Sequence, residues 1–201
     1  YTTAYSGFYE DGSYIDHKTI PYNGGYGLSY IDCIIKLIPA IKNTPWDFTD
    51  ANKERLKAWV DDSIIPFIYD GNFMDMVRGR EIARYNKSDY TAGITAINAI
   101  LRFAFELPET DSDAQTYKSM VKYWLSFSSD FVAEFEKRCG LVNYVNYKEI
   151  INDDTIIPAK LDNFAKQFNQ MDRTVKYGED YAFGISMSSK NDATNFEHLN
   201  G

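Results

Sequence analysis

The sequence predicts a mainly α-helical chain that gives way to short β-strands towards its C-terminal end. Between residues 28 and 152, apolar residues recur at helical spacing in consecutive segments. Short connections separate these segments, so we expect antiparallel helix pairs. After Pro158 the helical stripe disappears, and small and aromatic residues alternate in a pattern typical of strands.

Each element has its own signal. Residues 1–27 are rich in Gly, Tyr and Asp without periodicity, so we expect an extended loop. Asp50 is a candidate N-cap for the second helix, Pro66 a candidate end, and Gly140 a candidate C-cap further on. Helices are predicted over residues 28–41, from about 50 to 64, and near 90–106, 112–128, 131–138 and 147–152.

The last forty residues predict the β region. The segment YAFGISM, residues 181–187, alternates well enough for a strand, and residues 193–199 are a second candidate. We therefore expect a helical part over residues 1–160 and the start of a β domain over residues 161–201.

Composition and charge exclude several classes of function. The 201 residues have a net charge of −8, which argues against a nucleic-acid partner because phosphate binding needs a broad basic surface. No run of eighteen apolar residues occurs, so we expect no membrane span. Cys and His show no metal-ligand spacing. Aromatic residues make up 16% of the chain, which mildly favours carbohydrate, since aromatic faces suit sugar C–H surfaces.

One of the two histidines, His17, lies in DGSYIDHKTIPYNGGYG, a loop dense in Gly and Tyr. A polar loop directly before a buried helix presents side chains on a rigid support, which suits a functional role. A lone His is more often structural. Position alone leaves both interpretations open.

A cluster of arginines follows in RGREIAR, residues 78–84. If the segment is helical, Arg80 and Arg84 project from one face with Cβ atoms roughly 5–6 Å apart. They then form a clamp for carboxylates or sulfates, for which arginine forks are well shaped. The alternative is that Glu81 or Asp75 neutralises them at the surface.

Three segments in this order, DGSYIDHKTIPYNGGYG, FMDMVRGREIAR and NFEHLN, resemble the hyaluronate, chondroitin and xanthan lyases of polysaccharide lyase family eight. The resemblance spans nearly the whole chain. It implies the later part of an incomplete α/α toroid over residues 1–160, followed by the first strands of an antiparallel β-sandwich domain over residues 161–201. It also implies an earlier toroid portion that carries a catalytic Asn, so the remainder of the same parent chain is an expected partner.

The resemblance implies a role for seven residues. His17, Tyr26 and Arg80 match catalytic positions, and four others match positions that bind substrate. His198 is interpreted as structural. The implied substrate-binding residues are Arg84, Asn86, Glu197 and Asn200.

The implied reaction is β-elimination at a uronic acid, which leaves an unsaturated uronate end. Neutral His17 or ionised Tyr26 takes the C5 proton, and Tyr26 protonates the departing glycosidic oxygen. Ionisation of Tyr26 requires a cation nearby, for which Arg80 is the candidate. We expect no metal and no organic cofactor.

The substrate is expected to be an acidic polysaccharide. The family resemblance implies Tyr at the Asn86 position in xanthan lyase, so hyaluronan or chondroitin is preferred and xanthan is the alternative. A second alternative is a catalytically incomplete fragment that only binds acidic glycan. Such polymers lie outside cells, so we expect a secreted or extracellular protein, although this chain shows no signal peptide.

Overall fold

A computed structural model describes residues 1–3 and 5–190. It begins with a small three-stranded antiparallel sheet in which β2 is central. The expectation of an extended loop over residues 1–27 was therefore wrong in part, because strands of two or three residues are too short to show alternation. The strands are β1 (Gly7–Phe8), β2 (Tyr14–Asp16) and β3 (Ile20–Pro21).

A short π-helical turn, Asn23–Gly27, connects this sheet to the first α-helix. Asn23 is fully buried, and its side chain holds the turn in place through three hydrogen bonds. Its Oδ1 accepts a hydrogen bond from Tyr14 N at 3.2 Å, and its Nδ2 donates to Gly12 O and Ser63 O at 3.0 and 2.9 Å. One side chain thus joins the sheet, the turn and the end of the second helix.

Within the described residues six α-helices follow the turn, and the predicted helix positions are confirmed with shifted ends. The cap of the second helix is Thr49, whose side chain accepts from Asn52 N, rather than Asp50. Gly140 has a left-handed φ of 70° directly after the last turn of α5. The helices are α1 (Leu28–Ile41), α2 (Asp50–Ser63), α3 (Asp89–Glu106), α4 (Ser112–Trp124), α5 (Ser129–Arg138) and α6 (Gly140–Asn152).

Helix α3 is central to the packing. It contacts α1, α4, α5 and α6, and its apolar residues include Ile97, Ile100 and Phe103, all 0–1% exposed. A helix buried on several sides needs apolar residues around most of its circumference, which α3 has. Its N-terminus, capped by Ser88, directly follows the arginine segment.

The connection between α2 and α3 is irregular and carries the arginines. A 3₁₀ turn, Ile65–Phe67, precedes a two-stranded sheet of β4 (Ile68–Tyr69) and β5 (Asn72–Phe73). Two further 3₁₀ segments cover Asp75–Val77 and Gly79–Ala83.

A three-stranded antiparallel sheet completes the described chain, with β7 in the middle. The strand predicted over residues 181–187 is confirmed by β8, whereas the one predicted over 193–199 lies outside the described residues. Tyr177 Oη donates to Pro66 O and Ile68 O at 3.0 Å each, so the sheet is fastened to the connection after α2. The strands are β6 (Ala165–Phe168), β7 (Arg173–Tyr177) and β8 (Ala182–Ser186).

The architecture is thus a partial helical toroid followed by strands. Among the helices of residues 1–3 and 5–190, none combines the length and apolar character that crossing a membrane requires.

Candidate active site

His17 lies in the tight connection between β2 and β3, where Asp16 pairs with Ile20. His17 and Lys18 both have left-handed backbone φ values, 47° and 73°. The His17 N–H donates to Asp16 Oδ1 at 2.6 Å, which helps to hold this strained turn. The imidazole is therefore presented at an exposed position on a short, fixed hairpin.

Tyr26 projects from the π-helical turn and is 38% exposed. Arg80 Nη2 donates a hydrogen bond to Tyr26 Oη at 2.5 Å, and the guanidinium carbon lies 5.7 Å from the tyrosine ring centroid. The His17 ring meets the Tyr26 ring edge-on, with centroids 5.5 Å apart and planes at 78°. Three residues singled out from the sequence, separated by up to 63 positions, therefore form one cluster.

Tyr22 supports this cluster from below, and the sequence analysis missed it. Its ring is 1% exposed and lies 4.9 Å from the Tyr26 ring and 6.2 Å from the His17 ring. Its Oη accepts from Arg80 N at 3.2 Å. The available signal was the spacing of Tyr22 and Tyr26, since residues four apart in a helical turn share a face.

Two glycines make room for the Tyr22 ring. A Cβ added to Gly79 would lie 2.5 Å from Tyr22 Cε2 and 2.7 Å from Cε1, and a Cβ added to Gly25 would also collide with the ring. Gly79 also has a left-handed φ of 53°. The glycine between the two arginines is thus required both by backbone conformation and by close approach.

Arg78, quoted in the motif but given no role there, is 2% exposed. Its Nε lies 3.1 Å from an Asp75 carboxylate oxygen, and its Nη2 donates to Lys87 O at 2.9 Å. Arg78 therefore ties the arginine segment to the residues just before α3. Its burial explains why it does not reach the surface beside Arg80.

Arg80 and Arg84 do not lie on one face of an α-helix, contrary to the arrangement considered from the sequence. The segment Gly79–Ala83 is a 3₁₀ turn and Arg84 follows it in extended conformation. Arg84 Nη1 lies 2.7 Å from Glu81 Oε1. Of the two interpretations, neutralisation by Glu81 fits Arg84, whereas Arg80 reaches Tyr26.

A cavity of about 470 Å³ opens beside Tyr26 and Asn86. It continues along α3 to the junction of α5 and α6, where Arg138 and Asn143 line it. Its volume is in the range of ligand pockets. His17, Arg80 and Arg84 are not among its lining residues, and Glu197 and Asn200 lie outside the described residues.

The cluster has the chemistry of proton transfer. The Tyr26 phenol accepts a hydrogen bond from the Arg80 guanidinium and lies beside the His17 imidazole. Two groups that can transfer protons and one cation are therefore in contact with one another. Among the described residues, His, Cys, Asp and Glu side chains form no group of three or more that could hold a metal ion.

Comparison with known proteins places the chain in a family. Residues 1–123 match the model of the polysaccharide lyase family 8 N-terminal α-helical domain. The chain is 38% identical over 98% of its length to a hyaluronate lyase of Staphylococcus aureus, and 32% identical over its full length to a xanthan lyase of a Bacillus species. It covers 24% and 21% of those two proteins.

Solved structures agree with this assignment. The structure of a Paenibacillus xanthan lyase superposes with a TM-score of 0.90 and 38% identity, covering 98% of this chain and 18% of that one. A Streptomyces coelicolor chondroitin AC lyase, with a TM-score of 0.83, is 24% identical and shares the fold. The match covers 96% of this chain and 27% of that chain. The chain belongs to polysaccharide lyase family 8.

Proposed function

We propose that this chain carries the proton-transfer groups of a lyase that cleaves uronic-acid-containing polysaccharide by β-elimination. The observation that carries the proposal is the contact of Tyr26 Oη with Arg80 Nη2 at 2.5 Å, with the His17 ring against Tyr26. Family membership supports the same conclusion, because the similar proteins are named as hyaluronate and xanthan lyases.

In the proposed reaction, the C5–H bond of the uronate breaks and His17 or ionised Tyr26 accepts the proton. The electron pair forms the C4–C5 double bond through an enolate-like state, and the C4–O glycosidic bond breaks. Tyr26 then donates a proton to the departing oxygen. Arg80 stabilises negative charge on the phenol oxygen to which it donates. The buried Tyr22 packs against the Tyr26 ring and accepts a hydrogen bond from Arg80 N, which holds both residues in place.

The remaining family positions are proposed to bind substrate. Asn86 lines the cavity next to Tyr26, where an amide suits sugar hydroxyls. Arg84 is engaged with Glu81 and would contribute a cation at the rim. Glu197 and Asn200 are proposed to reach the substrate from the β side.

Hyaluronan or chondroitin is the preferred substrate, because Asn86 stands where the family resemblance implies Tyr in xanthan lyase. Xanthan is the alternative, supported by the 38% identity to the Paenibacillus xanthan lyase. A further alternative is that the chain by itself only binds acidic glycan.

The chain spans 18–27% of the relatives reported above, so we propose that it acts together with the remainder of a longer chain. We place the toroid part at residues 1–160 and the start of a β-sandwich at 161–201. Since the proposed polymers lie outside cells, we also propose a secreted protein.

The test measures ultraviolet absorbance of the unsaturated uronate when the full-length protein is mixed with hyaluronan, chondroitin or xanthan. Tyr26→Phe removes the hydroxyl that donates and accepts protons, and we expect it to lower kcat by about 10²–10⁴-fold. Tyr30→Phe is the matched control, because Tyr30 is a half-exposed tyrosine on α1 outside the cluster.

His17→Ala is expected to lower kcat by a similar factor. If the protein without substitutions leaves all three polymers intact, this result contradicts the lyase proposal and favours glycan binding alone. Equal rates for Tyr26→Phe and Tyr30→Phe contradict the role given to Tyr26.

A further inference from the structure

The cavity beside Tyr26 is basic although the chain as a whole is acidic. Five cationic side chains line it against two carboxylates, whereas the sequence has a net charge of −8. Both carboxylates are already paired: Asp32 with Lys36 at 2.5 Å and Glu81 with Arg84 at 2.7 Å. Four of the five cations also form ion pairs, Lys87 with Glu81 at 3.7 Å among them, which leaves Arg102 as the lining cation without an ion pair in the described part of the chain. The cations are Lys36, Arg78, Lys87, Arg102 and Arg138.

Arg102 differs from the other arginines of the lining. Arg78 pairs with Asp75, and Arg138 lies 3.4 Å from Glu134. Within residues 1–3 and 5–190, no carboxylate forms an ion pair with Arg102, and its buried Nε has no hydrogen-bond partner. A partly buried guanidinium without a counter-ion is unfavourable, and an anionic ligand would offset that cost.

The surroundings of Arg102 are rigid. Asn143 of α6 is 1% exposed, and its Nδ2 donates to Asn98 O and Asn98 Oδ1 at 2.8 and 2.9 Å. Asn98 lies one helical turn before Arg102 on the same face of α3. This amide pair fixes α6 against α3 beside the guanidinium, so the position of Arg102 is set in advance of binding.

The distance along the cavity decides which part of a ligand reaches Arg102. Thr91, beside the Asn86 end, and Arg102 both line the cavity and are eleven residues apart on α3. At 1.5 Å per residue this is about 16 Å, a span much longer than one sugar ring. On this spacing we assign a sugar held at the Tyr26 and Thr91 end and a group held at Arg102 to different units of one polymer.

We propose that Arg102 binds a carboxylate or sulfate on a unit of the acidic polysaccharide distant from the unit held at Tyr26. The proposal rests on the proposed function and assigns a second anchoring point to its substrate. Binding there holds ground state and transition state alike, because Arg102 is far from the reacting bonds, so it affects KM rather than kcat.

The test replaces Arg102 by Gln in the full-length protein and compares the hyaluronan polymer with hyaluronan tetrasaccharide. Loss of one charge-assisted hydrogen bond is expected to raise KM for the polymer about tenfold or more without changing kcat. KM for the tetrasaccharide is expected to stay unchanged, because a cut at its central linkage leaves only two sugar units on either side of Tyr26, too few to reach Arg102. Arg102→Lys, which keeps the charge, is expected to give an intermediate KM.

Arg55→Gln is the matched control, since Arg55 is an exposed arginine on α2 that does not line the cavity. Equal KM values for Arg55→Gln and Arg102→Gln overturn the proposal, because the effect would then be one of net charge. A lower melting temperature with an unchanged KM also overturns it, since Arg102 would then be neutralised by another part of the protein.

Calorimetric binding of hyaluronan hexasaccharide separates this proposal from the proposed function, with binding measured in the Tyr26→Phe background so that the ligand is not cut. If the protein without substitutions shows no turnover, and Arg102→Gln weakens the affinity for hexasaccharide about tenfold, the lyase function is contradicted and the anchoring site is supported. If the protein without substitutions shows turnover, and hexasaccharide binds equally well with and without Arg102→Gln, the function is supported and the anchoring site is overturned.

Discussion

Gly79→Ala tests whether the backbone between Arg78 and Arg80 is fixed by the Tyr22 ring. The added Cβ would lie 2.5 Å from Tyr22 Cε2, well inside van der Waals contact. The ring cannot retreat easily, because Gly25 packs closely against it as well. Displacement of Tyr22 also moves the hydroxyl that accepts from Arg80 N.

Two costs add at this position. An alanine at the left-handed φ of 53° costs about 1–2 kcal/mol, and overpacking a filled site costs about 1–3 kcal/mol more. Gly140→Ala isolates the first cost, because Gly140 has a φ of 70° and nothing lies within 4 Å of its added Cβ. We therefore expect Gly79→Ala to lower the free energy of unfolding by about 2–5 kcal/mol and Gly140→Ala by about 1–2 kcal/mol.

Urea denaturation of the full-length protein measures both values, and the slope with denaturant shows whether the unfolding behaviour is unchanged. Lyase rates provide a second readout: Gly79→Ala is expected to lower kcat about a hundredfold, because Arg80 is displaced from Tyr26, and Gly140→Ala is expected to leave kcat unchanged. Equal losses of stability in the two variants would refute the proposed constraint by the Tyr22 ring.

Two further predictions concern how the site is supported. Asn23→Ala leaves three buried backbone groups without partners and is expected to lower the free energy of unfolding by about 3 kcal/mol, whereas the exposed Asn52→Ala changes it little in the same urea measurement. Burial raises the pKa of the Tyr177 phenol above its ordinary value of about 10, so its contribution to stability is complete below that pH and is lost as pH rises above it. Tyr177→Phe is therefore expected to weaken the loss of stability above about pH 10, with Tyr181→Phe, at a half-exposed position, as the matched control.

The helices were predictable because their signal is local. Apolar residues at helical spacing in α1 and α3 mark a buried stripe, and any packed arrangement of these segments needs that stripe. The ends were less predictable. Thr49 rather than Asp50 caps α2, and adjacent residues of similar capping preference differ only by the backbone conformation that the whole fold imposes.

The irregular segments were the least predictable part of the fold. The arginine segment was considered as an α-helix, yet Gly79–Ala83 forms a 3₁₀ turn between β5 and α3. Its conformation depends on the Tyr22 ring against Gly79 and on the bonds of Arg78 to Asp75 and Lys87. The Tyr22 restraint comes from a residue distant in sequence, whereas Asp75 and Lys87 lie within nine residues of Arg78, and none of the three leaves a periodic pattern.

The sequence by itself determined the helical stripes, the change to strands after Pro158, and the motifs that point to His17, Tyr26 and Arg80. Tertiary structure decided that Arg80 reaches Tyr26 while Arg84 pairs with Glu81, and that Tyr22 supports the cluster. The physical reason is range. The apolar stripe of a helix depends on residues three and four apart in the sequence. The direction of a long side chain depends on partners that come near it only when the whole chain has folded.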